Sequence, residues 1–243
     1  MKKEIHKWFS SNLKKEIEIA VYGHYGYALL MFPTAGADFL EYERFNLIDS
    51  ISGQINNGTL KAFSINGIDN ETWLNKSLAS SEKASRHQQY NNYIIDEVIP
   101  FIRENCKGDV PVITAGASLG AFHAANTFFR KPHLFSGVIA MSGIYDLKYY
   151  TEGYFDDTCY FNSPVDYLPR LTDATILAAM KNKNIIIASG QGAYEDPGAS
   201  KQLSLILHSK NIPHWLDLWG KDMTHDWPTW KKMLPYFLEN INI

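Results

Sequence analysis

A serine at the centre of a glycine-bounded turn is the residue of this sequence best suited to chemistry. Ser118 lies in the run Gly116-Ala117-Ser118-Leu119-Gly120, which has the form Gly-x-Ser-x-Gly. The two glycines lack the side chains that would collide in a tight turn. If a helix follows, the N–H of Leu119 points from its N-terminus at the group that Ser118 attacks. The run therefore predicts a nucleophile for acyl transfer and one hydrogen-bond donor for the resulting oxyanion.

A serine hydroxyl is a poor nucleophile until a base takes its proton, and His225 is the best base in the chain. It lies in the polar loop Gly220–Trp227, near the C-terminus. The other seven histidines have ordinary structural interpretations. One of them, His123, follows Ser118 by five residues and either packs within its helix or faces the site; we favour packing.

A carboxylate is needed to fix the tautomer of the histidine and to stabilise the imidazolium. Glu195 and Asp196 both lie between Ser118 and His225, so the chain order Ser, acid, His is that of α/β-hydrolases. Asp196 directly precedes Pro197, which favours it as the N-cap of a helix. Glu195 is therefore the preferred catalytic acid, and Asp196 is the alternative. Asp222 and Asp226 flank His225 too closely, and Asp226 is better placed as a helix cap.

Strands and helices alternate through most of the chain. Apolar or alternating runs predict strands at residues 13–22, 27–32, 60–65, 135–141, 184–189 and 213–219, and a further strand that starts at Val112 and ends in the Gly-x-Ser-x-Gly run. Such alternation predicts a mostly parallel sheet with helices on both faces. Ser118, Glu195 and His225 each follow a predicted strand, so all three are expected at the carboxyl edge of the sheet.

Other segments carry structural expectations. The strands at 13–22 and 27–32 are predicted to form an antiparallel hairpin. Residues 38–55 and 81–106 are predicted to be helical, with a kink at Pro100. Residues 144–183 are rich in aromatic side chains and are expected to form a cap over the sheet edge; a helix pair packed on the core is the alternative.

The small residues after the second strand are candidates for the rest of the oxyanion site. Pro33-Thr34-Ala35-Gly36-Ala37 leaves backbone N–H groups exposed at the end of a buried strand, so Ala35 or Gly36 could supply the second donor. A plain strand-to-helix connection is the alternative. Asp69, Glu71 and Trp73 occupy a polar loop that could reach the same edge.

Composition limits the remaining possibilities. The 243 residues, with 45% hydrophobic and 20% charged side chains, suit one globular domain spanning 1–243. A net charge of −3 without a basic stripe argues against a nucleic-acid partner. No signal peptide or membrane span is apparent, and the two cysteines do not make a disulfide framework, so a cytoplasmic location is expected. No cofactor or metal motif is present, since Gly190-Gln191-Gly192 lacks the phosphate-binding glycine pattern.

Two stretches resemble the putative esterase family of α/β-hydrolases, which includes esterase D (S-formylglutathione hydrolase), feruloyl esterases, enterochelin esterases and mycolyltransferases. They are Gly116–Ala121 and Phe129–Gly143, the second ending in a strand followed by Ser-Gly. Ala121 stands where many members have glycine, and members use either Glu or Asp as the acid. The resemblance implies an α/β-hydrolase fold and a cofactor-free carboxyl-ester hydrolase or acyltransferase, and it does not indicate a substrate.

Together these observations predict a serine hydrolase that cleaves a small-molecule carboxylic ester through an acyl-enzyme. Ser118 is the expected nucleophile, His225 the base and Glu195 the acid. Acyl transfer to an acceptor other than water and a hydrolase-like binding protein without catalysis are the alternatives. The oligomeric state is left open.

Overall fold

An eight-stranded sheet forms the centre of the molecule in the computed structural model, which describes residues 1–243. The strands are β1 (Lys3–Ser10), β2 (Lys15–Tyr22), β3 (Tyr27–Phe32), β4 (Leu60–Ile65), β5 (Val112–Ala117), β6 (Gly137–Met141), β7 (Asn184–Ser189) and β8 (Trp215–Leu218). Their spatial order is β1-β2-β4-β3-β5-β6-β7-β8, and every pair from β4 to β8 is parallel. The prediction of an α/β fold with a mostly parallel sheet is confirmed.

Twelve α-helices surround this sheet. They are α1 (Glu41–Arg44), α2 (Leu47–Ser50), α3 (Ser52–Asn56), α4 (Ser80–Tyr93), α5 (Ile99–Asn105), α6 (Leu119–Arg130), α7 (Lys148–Thr151), α8 (Asp157–Tyr160), α9 (Pro164–Tyr167), α10 (Ala174–Met180), α11 (Pro197–Ser209) and α12 (Trp227–Glu239). None of the helices combines the length and the apolar character that crossing a bilayer requires.

Both faces of the sheet are buried, because successive side chains of a strand point to opposite faces. In β3, Leu29 lies on the face of the sheet that packs against α1–α3 and α12. Leu30 lies on the opposite face, which packs against α4–α6 and α11. The near-continuous apolar sequence of β3 follows from this double burial. The sheet is therefore a rigid platform whose carboxyl edge carries the loops after β3, β5, β7 and β8.

The predicted hairpin between residues 13–22 and 27–32 is wrong. β2 pairs antiparallel with β1 and β4, and β4 lies between β2 and β3. The hairpin partner of β2 is β1, which was not predicted as a strand. β1 is an edge strand in which partly buried and exposed residues alternate, so its hydrophobic signal is weak.

Two predicted helices are interrupted. Residues 38–55 form α1, α2 and α3 instead of one helix. Asn46 lies between α1 and α2, and its left-handed φ of 58° interrupts the helical backbone there. The helix expected at 81–106 contains a π-helical turn at Ile94–Val98, in which the Ile99 N–H donates to the Ile94 carbonyl. Pro100 follows this turn and has no N–H to donate to the carbonyl four residues before it, so the kink at Pro100 stays a prediction with a stated physical cause.

Residues 144–183 form four short helices, α7–α10, instead of one long pair. Leu147 and Cys159 of this segment are buried in a small cluster with Trp73, Leu119 and Phe122. Since Leu119 follows Ser118 directly, the segment packs beside the turn that carries the predicted nucleophile. Several of its aromatic side chains are exposed: Tyr149, Tyr154, Phe155 and Phe161.

Candidate active site

Ser118 sits in a strained turn between β5 and α6. Its φ of 56° and ψ of −125° place a non-glycine residue in a region that side chains rarely adopt. The turn is possible because its neighbours are glycines: a Cβ on Gly116 would lie 2.2 Å from the Gly120 carbonyl oxygen, and one on Gly120 would lie 2.3 Å from the Phe32 oxygen. The strand, turn and helix that the motif requires are all present.

His225 is held against Ser118 by two interlocked loops. Its Nε2 lies 2.9 Å from Ser118 Oγ, so the hydroxyl can donate to the ring nitrogen. The loop after β8 is bonded to the loop after β7, since the His225 N–H donates to the Ala193 carbonyl at 3.0 Å and the Gly192 N–H donates to the Met223 carbonyl at 2.8 Å. These bonds fix the position of the imidazole from both sides.

Glu195, and not its neighbour Asp196, faces the histidine. Glu195 Oε2 lies 3.4 Å from His225 Nδ1, and its side chain has no exposed surface. Asp196 is exposed, and its Oδ1 accepts from the Gly198 N–H at 2.9 Å as the N-cap of α11. The structure therefore brings Glu195 to His225 and places Asp196 at the N-terminus of α11, and the catalytic role of Glu195 stays a prediction.

The environment of Glu195 keeps this carboxyl ionised. Burial raises its pKa, but hydrogen bonds from His225 and Ser142 lower it by more, together with the Gly190 N–H at 3.2 Å, so that the net pKa lies below the ordinary value for glutamate. An ionised carboxylate at this position favours the tautomer of His225 whose Nδ1 carries the proton, which leaves Nε2 free to accept from Ser118.

Ser142 and Trp230 belong to this network and were not predicted from the sequence. Ser142 Oγ donates to Glu195 Oε1 at 2.7 Å and accepts from Trp230 Nε1 at 3.0 Å. The Trp230 ring also contacts the His225 ring edge-on, at 5.2 Å between centroids. One signal was available: Ser142 directly follows β6 and so lies at the same carboxyl edge as the other site residues.

The loop after β3 lies next to the start of α6, as the close approach of Gly120 to Phe32 requires. Leu119 is the first residue of α6, so its N–H has no partner within the helix. In the loop, the Gly36 N–H already donates to Asp69 Oδ2 at 3.1 Å. The Ala35 N–H has no acceptor in the protein. Of the two predicted second donors, Ala35 is therefore the one that is free.

His123 points into the interior and not at Ser118. Its Nε2 lies 2.8 Å from Asp69 Oδ1, and both side chains are almost completely buried. The loop of Asp69 does reach the catalytic edge, because the other oxygen of this carboxylate binds Gly36. The sequence pointed separately to His123 and to the polar loop that contains Asp69, and it gave no indication that the two side chains are in contact.

Comparison with known proteins gives a family and a fold. The sequence model of a family described as putative esterase matches residues 50–241, most of the chain. A comparison with curated proteins finds no match.

Solved structures resemble the chain along nearly its whole length. A ferulic acid esterase has a TM-score of 0.75 at 16% identity, with 99% of each chain covered. An S-formylglutathione hydrolase from Agrobacterium tumefaciens has a TM-score of 0.73 at 14% identity, covering 99% of this chain and 95% of the other. The fluorophosphonate-binding serine hydrolase F of Staphylococcus aureus has a TM-score of 0.71 at 13% identity, with 98% of each chain covered. At these identities the likeness shows the fold, which is that of the α/β-hydrolases.

Proposed function

Because the chain belongs to the putative esterase family and is a serine hydrolase of carboxylic esters, we propose that Ser118, His225 and Glu195 are its catalytic triad. The observation that carries this proposal is the continuous contact from Ser118 Oγ to His225 Nε2, at 2.9 Å, and from His225 Nδ1 to Glu195 Oε2, at 3.4 Å. Apo triads are often loosely hydrogen-bonded and tighten when substrate binds.

In the proposed reaction Ser118 Oγ attacks the carbonyl carbon of the ester while His225 Nε2 takes the hydroxyl proton. The tetrahedral intermediate collapses when His225 returns that proton to the leaving alcohol, which leaves an acyl group on Ser118. Water then repeats the sequence with His225 as base and releases the acid. Glu195 remains ionised throughout and stabilises the imidazolium.

The oxyanion of the intermediate is proposed to bind between the N–H groups of Leu119 and Ala35. Both groups lie at the carboxyl edge of the sheet, on the two segments that meet at Gly120 and Phe32. The proposal gives Gly36 no such role, because its N–H already donates to Asp69 Oδ2. Losing one such donor costs other enzymes about 10²–10³ in kcat.

The test combines turnover with covalent labelling. Ser118→Ala should lose at least about 10³-fold in p-nitrophenyl acetate turnover and all labelling by a fluorophosphonate probe, because the nucleophile is gone. Ser209→Ala is the matched control, since Ser209 is exposed at the end of α11, and it should behave as the unchanged protein. Normal turnover or labelling in folded Ser118→Ala would contradict the assignment of the nucleophile.

The same assay addresses the alternatives to hydrolysis. Addition of a small alcohol diverts the acyl group from water if the site favours acyl transfer, and product analysis then shows the new ester. A folded wild-type chain that neither turns over esters nor reacts with the probe would indicate a binding role. The proposal predicts labelling at Ser118 and free acid as the main product.

We further propose that residues 1–243 form a single domain in which residues 144–183 cap the site. The contact of Leu147 and Cys159 with Leu119 supports this arrangement. Limited proteolysis should first cut within 144–183, where aromatic side chains are exposed, and should leave no separately folded fragment.

The partner is proposed to be a small-molecule ester, without nucleic acid or a membrane surface, and the location cytoplasmic. Two free cysteines, Cys106 and Cys159, are compatible with a reducing compartment. Cell fractionation tests the location, and recovery of the protein in a membrane or secreted fraction would contradict it.

A further inference from the structure

In the loop after β3, the backbone N–H groups of neighbouring residues differ in whether they have an acceptor within the protein. The Thr34 N–H donates to Glu41 Oε2 at 2.8 Å, and the Gly36 N–H donates to Asp69 Oδ2 at 3.1 Å. Ala35, between them, has a free N–H. Two carboxylates therefore hold the residues on either side of the proposed oxyanion donor, and the direction of the Ala35 N–H depends on both.

Asp69 is itself held from the other side. Its Oδ1 accepts from His123 Nε2 at 2.8 Å, and neither side chain exceeds about 1% exposure. No lysine or arginine contacts Asp69, so His123 is its only side-chain partner. With one oxygen on Gly36 and the other on His123, the carboxylate connects the loop to α6.

This connection joins the two proposed oxyanion donors. His123 lies four residues after Leu119 on α6, hence one turn along the same face of the helix. The chain of contacts runs from Leu119 through α6 to His123, across Asp69 to Gly36, and so to the adjacent Ala35. These contacts together set the distance between the Leu119 and Ala35 N–H groups. An oxyanion needs both groups at hydrogen-bond distance.

Stability alone is a poor explanation for such a pair. Desolvation of an acid and an imidazole opposes folding, and apolar residues of similar size in their place often give a protein that is as stable or more so. Most of the surroundings of His123 would suit an apolar residue, since Phe32, Phe122 and Tyr90 pack against its ring together with one other imidazole, that of His87. The polar bridge is therefore better explained by the directional hydrogen bond that Asp69 accepts from the Gly36 N–H.

We propose that Asp69 and His123 are positioning residues that hold the Ala35 N–H in register with the Leu119 N–H in the oxyanion hole. They act through the backbone and do not touch the substrate. This inference rests on the proposed function, because it takes the oxyanion to bind between Leu119 and Ala35.

The test compares an ester with its thiono analogue, in which sulfur replaces the carbonyl oxygen. An intact oxyanion hole favours the oxygen compound, because N–H groups bind an oxyanion at shorter distances than the larger, softer sulfur. The ratio of kcat/KM for the oxo and thiono p-nitrophenyl esters is independent of how much enzyme is folded. A purely structural defect lowers both rates equally and leaves this ratio unchanged.

Asp69→Ala and His123→Leu should each reduce the ratio by about 10-fold or more, with kcat for the oxo ester falling more than KM changes. Asp69→Asn should restore much of it. The amide oxygen can accept from Gly36 while its NH₂ donates to the other tautomer of His123. Glu71→Ala is the matched control: Glu71 belongs to the same short 3₁₀ helix but binds Lys15 and Arg86, and the ratio should not change.

An unchanged ratio in both Asp69→Ala and His123→Leu would overturn the inference, whatever their thermal stability. Equal reductions in Asp69→Ala and Asp69→Asn would also overturn it, because the bridge would then not be what matters. Failure of the proposed function has a different signature, namely turnover that survives Ser118→Ala. A wild-type enzyme that depends on Ser118 but shows no oxo preference would contradict the oxyanion site itself.

Discussion

At the residue scale, two adjacent carboxylates have opposite surroundings. Glu195 is completely buried and receives hydrogen bonds from His225, Ser142 and Gly190. Asp196 is exposed and caps α11. A buried, ionised carboxylate at His225 Nδ1 selects the tautomer that lets Nε2 act as base, whereas a capping carboxylate affects only the helix.

Glu195→Gln should therefore lower kcat by about 10²–10⁴-fold, because the amide no longer favours the reactive tautomer of His225. Asp196→Asn should leave kcat within about 2-fold, since Asn is as good an N-cap as Asp. Steady-state kinetics with p-nitrophenyl acetate measures both. If Asp196→Asn proved the more damaging change in kcat, the two roles would have to be exchanged.

The sequence predicted the residues whose role follows from local pattern. Ser118 carries a motif, and Pro197 distinguished Asp196 from Glu195. It did not predict Ser142–Trp230 or Asp69–His123, because these contacts join residues 88 and 54 positions apart and no spacing rule connects them. Only one member of each pair, Ser142 after β6 and Asp69 after β4, could be approached by asking which polar residues follow strands of the sheet.

At the element scale, α6 approaches the end of β3 closely at Gly120. A Cβ on Gly120 would lie 2.3 Å from the Phe32 oxygen and 2.5 Å from the Pro33 oxygen. Both neighbours are backbone atoms of a buried strand end, so neither can yield cheaply. Glycine at this position lets the first turn of α6, with Leu119, reach the loop that contains Ala35.

Gly120→Ala should destabilise the protein by at least about 2 kcal/mol and abolish most turnover, because the added methyl separates α6 from β3. Gly53→Ala is the matched control. Gly53 lies in α3 and a Cβ there has no neighbour within 4 Å, so alanine should stabilise the helix by about 0.5–1 kcal/mol. Urea unfolding and ester kinetics measure the two effects; a fully stable, fully active Gly120→Ala would refute the steric argument.

Strongly apolar elements were predictable, and elements defined by their neighbours were not. β7 was predicted at its observed bounds, because a run of buried β-branched residues marks it. The pairing of β2 was predicted incorrectly, because adjacency in sequence suggested β3, whereas β4 occupies the position between them. The order of the strands depends on how whole strands pair with one another, and no local sequence pattern indicates that order.

At the scale of the whole molecule, the site is assembled from both halves of the chain. Residues 33–69 provide the loop with Ala35 and its support, and residues 118–225 provide the proposed triad. Solved structures at 16% identity or below keep the same architecture over nearly the whole chain. The architecture therefore tolerates nearly complete sequence change, and chemistry depends on the few residues at the carboxyl edge.

The interior beneath this edge contains a group that is sensitive to acid. His87 is completely buried among Trp73, Phe122 and His123, and neither ring nitrogen has a hydrogen-bond partner. Burial lowers its pKa well below the ordinary value, with further electrostatic contributions from the neighbouring His123 and from Arg130. In the unfolded chain the same imidazole titrates at about 6.5.

Between these two pKa values the unfolded state binds the proton and the folded state does not, so stability falls as the pH falls below about 6.5. Glu195 also makes the protein less stable as the pH falls, but in a lower pH range. Folding lowers the pKa of this carboxyl, so its contribution to stability is lost only below about pH 4.3.

His87→Leu should reduce the slope of unfolding free energy against pH, between about pH 6.5 and 5, by up to about 1.4 kcal/mol per pH unit, because the leucine binds no proton in either state. His208→Leu, at an exposed site on α11, should leave the slope unchanged. Urea unfolding across this range measures it; parallel curves for His87→Leu and the wild type would show that His87 is not the acid-sensitive group.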